Sequence, residues 1–233
     1  DRGSFGTPPG MDELGADVVL VEFTTAIDTD GGVPETGGVL EVGEVRDYAW
    51  VHIDGRPVGR LQRTLGEHSL EIPAGGELRL LVEETGRVNY DTKIGEPKGL
   101  IGGVSLNGEP LPGPWRVRTI DVPSLGERAA AAPTQHSTAT AGRIAGPVGL
   151  RATFTLDSPT DLFLDTQGWG KGYAWVNGFF LGRYWRRGPQ RTLYVPGPVT
   201  RAGENHIAIV ELETMTDATA RFLARPDLGH EVE

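Results

Sequence analysis

A chain of 233 residues with 38% apolar content is long enough for one large or two small folded domains, each enclosing a core of its own. Its formal net charge of −10 argues against nucleic acid or an anionic membrane as a general partner, because both surfaces are negative and would repel it. With no cysteine, disulfides, thiolate metal sites and a cysteine nucleophile are excluded, and no apolar run is long enough for a membrane-spanning helix, so a soluble chain of open compartment is expected.

In chain order, residues 1–15 form a Gly- and Pro-rich N-terminal segment with room for one helical turn at residues 11–14. The first residues lack a signal peptide's apolar core, and the abrupt start fits a piece of something longer. Residues 18–23 read as a short apolar strand and residues 28–38 as a polar loop. Strands at 47–53 and 58–61 flank a turn at Asp54-Gly55, and residues 70–72 and 78–82 follow. Within the last, Leu80-Leu81-Val82 shows no polar alternation, the pattern of a central strand covered on both faces. Residues 126–147 read as a linker, since four consecutive alanines make a poor helix in water. Strands then resume, with Ala152, Phe154 and Leu156 alternating against Arg151, Thr153 and Thr155.

The densest stretch is 168–185, which holds three of the five tryptophans. Asn177-Gly178 divides it into two aromatic runs, and both residues tolerate the positive φ that a two-residue type I′ hairpin requires. Arg183, Arg186, Arg187 and Arg191 cluster beside it, either as a solvated rim or as an anionic or docking site.

The two halves repeat each other. Ile53-Asp54-Gly55 through Gly59-Arg60 aligns with Val176-Asn177-Gly178 through Gly182-Arg183 at an offset of 123 positions, and Leu70-Glu71-Ile72-Pro73 aligns with Leu193-Tyr194-Val195-Pro196 at the same offset. A Gly-Glu turn and a buried strand close each half, with Glu83 and Glu211 read as equivalent strand ends. Short strands bounded by turn residues, without intervening helices, predict an all-β fold of two tandem β-sandwich (jelly-roll) domains related by duplication, at 16–125 and 148–233.

Chemistry is sparse. His52 and His206 fall in strands and His68, His136 and His230 in polar stretches, without chelating spacing, so neither a metal nor another cofactor is expected. No nucleophile elbow or phosphate loop appears. Glu83-Glu84 and Glu211 with Glu213 are conceivable acid/base pairs, but their place at strand ends reads first as structural.

Gly168-Trp169-Gly170-Lys171-Gly172, the run from Val176 to Trp185, Gly188-Pro189-Gln190, Thr192 to Pro196 and Glu211-Leu212-Glu213 resemble the C-terminal region of glycoside hydrolase family 35 β-galactosidases. Val82-Glu83, Gly86-Arg87-Val88-Asn89-Tyr90 and the run from Lys98 to Val104 resemble that family's preceding β-domain, and Met11 to Gly15 the segment before it. The resemblance implies galactose-binding-domain-like sandwiches that accompany a catalytic (β/α)₈ barrel whose two glutamates cleave the sugar. No barrel is recognisable here, and neither glutamate carries over to any position.

Several roles follow from the resemblance. Asn89 and Tyr90 would end a strand where the tyrosine reaches toward the barrel, or packs between domains. Trp169, Tyr184 and Trp185 would stack on a pyranose or pack internally, and Lys171 would bond sugar hydroxyls or cap strand carbonyls. Three functions remain open: a structural module docking on a β-galactosidase barrel, a galactoside-binding module, and an enzyme active by itself.

Overall fold

The computed structural model describes residues 1–15, 17–27, 37–131 and 143–229, in two compact units, Asp1–Val122 and Pro123–Glu233. Most of the loop expected at 28–38, His136, His230 and the middle of the expected linker lie outside the described residues.

The first unit runs β1 (Gly3–Phe5), α1 (Met11–Leu14), β2 (Leu20–Ala26), β3 (Gly38–Arg46), β4 (Tyr48–Ile53), β5 (Arg56–Gln62), β6 (Ser69–Ile72), β7 (Glu77–Glu83), β8 (Gly99–Leu106), β9 (Glu109–Pro110) and β10 (Trp115–Thr119). These strands form two antiparallel sheets, ordered β1-β10-β2-β7-β4-β5 and β6-β3-β8-β9. Period-2 alternation sends Phe23, Val51, Leu80 and Val117 of the first sheet against Leu40, Val42, Val104 and Leu106 of the second. Each such side chain contributes about 1.5–3 kcal/mol on burial. Face-to-face packing, rather than the propensity of such short strands, therefore holds the unit together.

The second unit contains α2 (Val122–Ala131), which starts at the unit boundary, then β11 (Ile144–Ala145), β12 (Val148–Leu156), β13 (Leu162–Asp165), β14 (Lys171–Val176), β15 (Phe179–Trp185), β16 (Thr192–Val195), β17 (Gly203–Glu211), β18 (Thr214–Met215) and β19 (Arg221–Leu223). Its sheets are ordered β12-β17-β14-β15 and β16-β13-β19, with β11 and β18 as a small extra pair. The core lies between Val176, Ile207 and Ile209 on one side and Leu164, Leu193 and Val195 on the other.

The duplication extends to topology. The order β2-β7-β4-β5 reappears as β12-β17-β14-β15, and β6-β3-β8 as β16-β13-β19. Strands β4, β5 and β6 begin and end 123 positions before β14, β15 and β16. Both hairpins also slip register at the matching place, between Val51 and His52 in one and between Ala174 and Trp175 in the other, which leaves Val58 and Leu181 as the extra bulge residues.

Two expectations are corrected. Ladder register pairs Glu83 with Tyr48 but Glu211 with Gly172, while the residue that bonds Lys171, the counterpart of Tyr48, is Leu212. The two glutamates are thus one residue out of equivalence, and a one-residue step inverts the face. Glu211 follows the core-facing series Ile207 and Ile209, whereas Glu83 lies on the face opposite Leu80 and Val82. The start of the expected linker, in turn, is helix α2. Tertiary packing stabilises it where its own sequence would not: Ala129 is buried, Arg151 donates to the Ala130 carbonyl at 2.9 Å, and a Cβ on Gly126 would come within 2.6 Å of the Trp175 indole.

Gly172 has no room for a side chain, since a Cβ there would lie 1.9 Å from the Val210 carbonyl oxygen. Gly178, at φ +81°, faces open space. In urea unfolding of the full chain, Gly172→Ala should cost the second unit about 3 kcal/mol or more, and Gly178→Ala about 1–2 kcal/mol from left-handed strain alone.

Candidate functional site

The residues singled out by sequence fall in two places. In the first unit, Asn89 and Tyr90 lie on the exposed connection from β7 to β8, and the Tyr90 ring is 82% exposed with Ile94 nearby in sequence at 63%. The base of that connection is fixed by charges withdrawn from water. Lys98, 1% exposed, donates from Nζ to both carboxylate oxygens of Asp47 at 3.0 Å and to Glu96 at 3.4 Å. Arg63 reaches Asp47 at 3.1 Å and closes a two-pronged pair with Glu96. On the other limb, Arg87 joins Glu84 at 2.9 Å and also Asp12, whose second oxygen accepts the Lys98 amide at 2.8 Å.

Burial by itself would raise the Asp47 carboxyl, but the Thr85 amide, Lys98, the Thr85 hydroxyl and Arg63 outweigh it and hold the group below its ordinary value. The Arg63 guanidinium likewise lowers Glu96 to about 2. Glu84 moves the other way, raised by burial.

In the second unit, the Gly-Trp-Gly-Lys-Gly stretch is an internal clasp. The buried Glu211 carboxylate accepts the amides of Gly170 at 2.9 Å, Lys171 at 3.0 Å and Glu213 at 2.8 Å, and the Tyr184 hydroxyl at 3.2 Å. Burial, reinforced by Glu211, pushes the Tyr184 phenol up. Trp169 meets Tyr184 edge-on with ring centroids 5.2 Å apart. At 1%, 0% and 2% exposure, Trp169, Lys171 and Tyr184 offer no surface to a ligand in the unit as folded. Trp185 is half-buried, with the Lys171 ammonium 4.9 Å and the Arg187 guanidinium 5.2 Å from its ring centroid.

Two members of the arginine cluster are engaged with different partners. Arg186 donates to the Trp169 and Thr214 carbonyls, and Arg191 pairs with Asp227 at 3.7 Å. His52 is buried and neutral, its pKa lowered to about 4 by burial, and no set of three His, Asp or Glu among the described residues is grouped to hold a metal.

The surface that sequence reading passed over is a hollow of about 440 Å³ beside strands β13, β15 and β16. Phe163, Phe179, Phe180, Tyr194, Pro196 and Leu228 line it. Phe179, Phe180 and Tyr194 are 48%, 41% and 50% exposed. Phe180 is backed by Trp175 at 5.3 Å between centroids, and Tyr194 by Phe163 at 5.5 Å. The bulge at Leu181 re-aims β15, so that consecutive Phe179, Phe180 and Leu181 all reach the hollow. The signal was present: Phe179-Phe180-Leu181 interrupts strand alternation directly after a tight turn. A second hollow, of about 530 Å³, lies in the first unit among Gly43, Gly102, Gly103, Glu41 and His68.

Residues 8–121 match the model of the β-galactosidase first all-beta domain, and residues 147–205 that of the β-galactosidase galactose-binding domain. The chain is 38% identical to a β-galactosidase of Xanthomonas manihotis, with 81% of this chain and 30% of that protein covered. It is 37% identical to a mouse β-galactosidase, at 72% and 28% coverage. To the human β-galactosidase-1-like protein 2 it is 34% identical, at 83% and 30% coverage. It thus spans about 30% of the length of these relatives.

The charge cluster gives the first unit an acid limit. Carboxyls with folded pKa values below their unfolded ones contribute stability that is present above the unfolded value and is lost as pH falls through the folded one. For Glu96 that window runs from the ordinary carboxyl value of 4.5 down to about 2. Between pH 6 and pH 2, thermal unfolding of Glu96→Gln should be less pH-dependent than that of the parent chain. Parallel curves would show that Glu96 is not part of the acid response.

Proposed function

We propose, from the premise that this chain belongs to the β-galactosidase family, that it is a non-catalytic β-domain region whose first unit docks against the catalytic part of such an enzyme. The observation that carries this reading is the Tyr90 connection. Its tip presents an exposed tyrosine and isoleucine, while its base is immobilised by Lys98, Asp47, Glu96 and Arg63. A connection anchored at its base loses less backbone freedom on association, and exposed tyrosines are typical anchors of protein interfaces. Asn89 and Tyr90 are assigned to the boundary with the catalytic part, on the side where the leaving sugar departs.

The placement of carboxylates supports a supporting rather than a catalytic role. Retaining glycosidases work with two carboxyl groups about 5 Å apart in a cleft. Glu83, Glu84 and Glu211 are buried, and Glu211 is occupied by four donors. Glu41 is the one carboxylate lining the hollow of the first unit, and no carboxylate lines the hollow of the second unit. A second reading, galactoside binding by the second unit, is favoured by the matched domain's description and by the exposed rings of that hollow.

The test is reconstitution. Alone, the chain should leave a chromogenic β-galactoside intact. Mixed with the complementary part of a β-galactosidase, it should associate and raise that part's thermal stability. Replacing Tyr90 and Ile94 together by alanine should weaken association by about tenfold or more. Galactoside cleavage by the chain alone, abolished by Glu83→Gln or Glu84→Gln, would overturn the proposal.

A further inference from the structure

We propose that the hollow lined by Phe163, Phe179, Phe180 and Tyr194 is a binding groove for a neutral pyranoside, with aromatic rings as the sugar platform and Gln190 as a hydroxyl partner. This rests on the second reading above and gives it a place, at residues other than the tryptophans and lysine that the sequence suggested.

Four observations support a sugar rather than a protein partner. The lining contains no Lys, Arg, Asp or Glu, so the occupant it suits carries no charge. Its volume of about 440 Å³ sits at the small-ligand end of the usual range of roughly 300–1,000 Å³. A protein interface would instead require about 800 Å² from each partner, well beyond four exposed apolar side chains. The exposed surface is mainly aromatic, and a ring face matches the C–H face of a pyranose better than a branched aliphatic surface does.

The platform is also ordered before any ligand arrives. The Tyr194 hydroxyl donates to Asp161 at 2.9 Å, and the same Asp161 oxygen accepts the Gly197 amide at 2.6 Å. That hydrogen bond to Asp161 orients the Tyr194 hydroxyl and raises its phenol above the ordinary value. Phe180 rests on Trp175 and Tyr173 at centroid distances of 5.3 and 6.2 Å. Rings held in this way lose little freedom on stacking, a condition for useful affinity from a small contact. Gln190, exposed at the rim, adds an amide with both donor and acceptor capacity.

The experiment is a titration of the full chain with methyl β-galactoside, lactose and methyl β-glucoside, followed by calorimetry and by amide and aromatic NMR shifts. Saturable binding is expected, with the largest shifts at Phe179, Phe180 and Tyr194. Phe180→Ala and Tyr194→Ala should each weaken it by about tenfold or more, and Tyr194→Phe by less, with unchanged unfolding midpoints serving as the folding control. Absence of saturable shifts with any of the three sugars would overturn the proposal. So would shifts confined to the hollow around His68, or binding insensitive to both alanine variants. Because Tyr90 and Ile94 are untouched in these variants, loss of sugar binding with intact association to the catalytic part would separate this groove from the docking surface. If Phe180→Ala abolished association and no sugar bound, the groove would be a protein contact and the proposal wrong.

Discussion

The residue that opens each tight hairpin turn also ties that hairpin to the strand that will lie beside it. Asp54 and Asn177 both adopt φ near +50°, each followed by a glycine of positive φ, the geometry of a type I′ turn. Their side chains then reach forward along the chain. The Asp54 carboxylate accepts the Gly76 and Glu77 amides at 3.1 and 2.9 Å. Asn177 accepts the His206 amide at 2.9 Å and donates to the Val199 carbonyl and Asn205. Turn, connection and central strand are therefore set as one hydrogen-bonded assembly. Since a slip of one residue would exchange core and solvent faces along a whole strand, this clamp helps fix which side chains become core, and its bond to the amide of the central strand, Glu77 or His206, recurs in both units.

On that shared frame the units differ in how they satisfy charge taken out of water. A buried carboxylate needs donors wherever it sits, or its desolvation is uncompensated. The first unit places its carboxylate at Asp47, just before β4, and brings Lys98 and Arg63 from distant positions to meet it. The second places its carboxylate at Glu211 on the central strand, where backbone amides of Gly170, Lys171 and Glu213 suffice. The consequence is opposite in the two halves. Lys98 of the β7–β8 connection and Arg63 from just after β5 fix the base of a projecting loop, whereas amides recruited from the Gly-Trp-Gly-Lys-Gly stretch draw that stretch inward and bury its tryptophan.

This difference explains which parts of the molecule could be read from sequence. The hairpins, the strand at 78–82 and the repeat were legible because turn chemistry and unbroken apolar runs are local signals. Strand β3 was not, since Gly38, Gly43 and the charged Glu41, Glu44 and Arg46 interrupt its pattern, and its pairing with β8 is a long-range property. Helix α2 escaped notice for the same reason: its stability comes from packing on Trp175, not from its alanines. The equivalence of Glu83 and Glu211 failed by one position because aligned residue types cannot reveal which of two adjacent residues faces the core.

The aromatic residues carry the same lesson in a form that bears on function. Trp169 stands among glycines, and glycines permit close approach of backbone to backbone: a Cβ on Gly170 would lie 2.6 Å from the Glu211 carboxylate. A stretch built for such proximity closes over its own indole, which is why the most conspicuous tryptophan motif is interior. Rings remain outside where the strand cannot turn every second residue inward, and a bulge is the local device that prevents it. In the first unit the same bulge presents Arg56, Pro57 and Val58. In the second it presents Phe179, Phe180 and Leu181. An identical backbone irregularity thus yields a hairpin end with one arginine and no aromatic ring in one copy and an aromatic platform in the other. The side chains placed on that bulge distinguish the surfaces of the two units more than any change of fold.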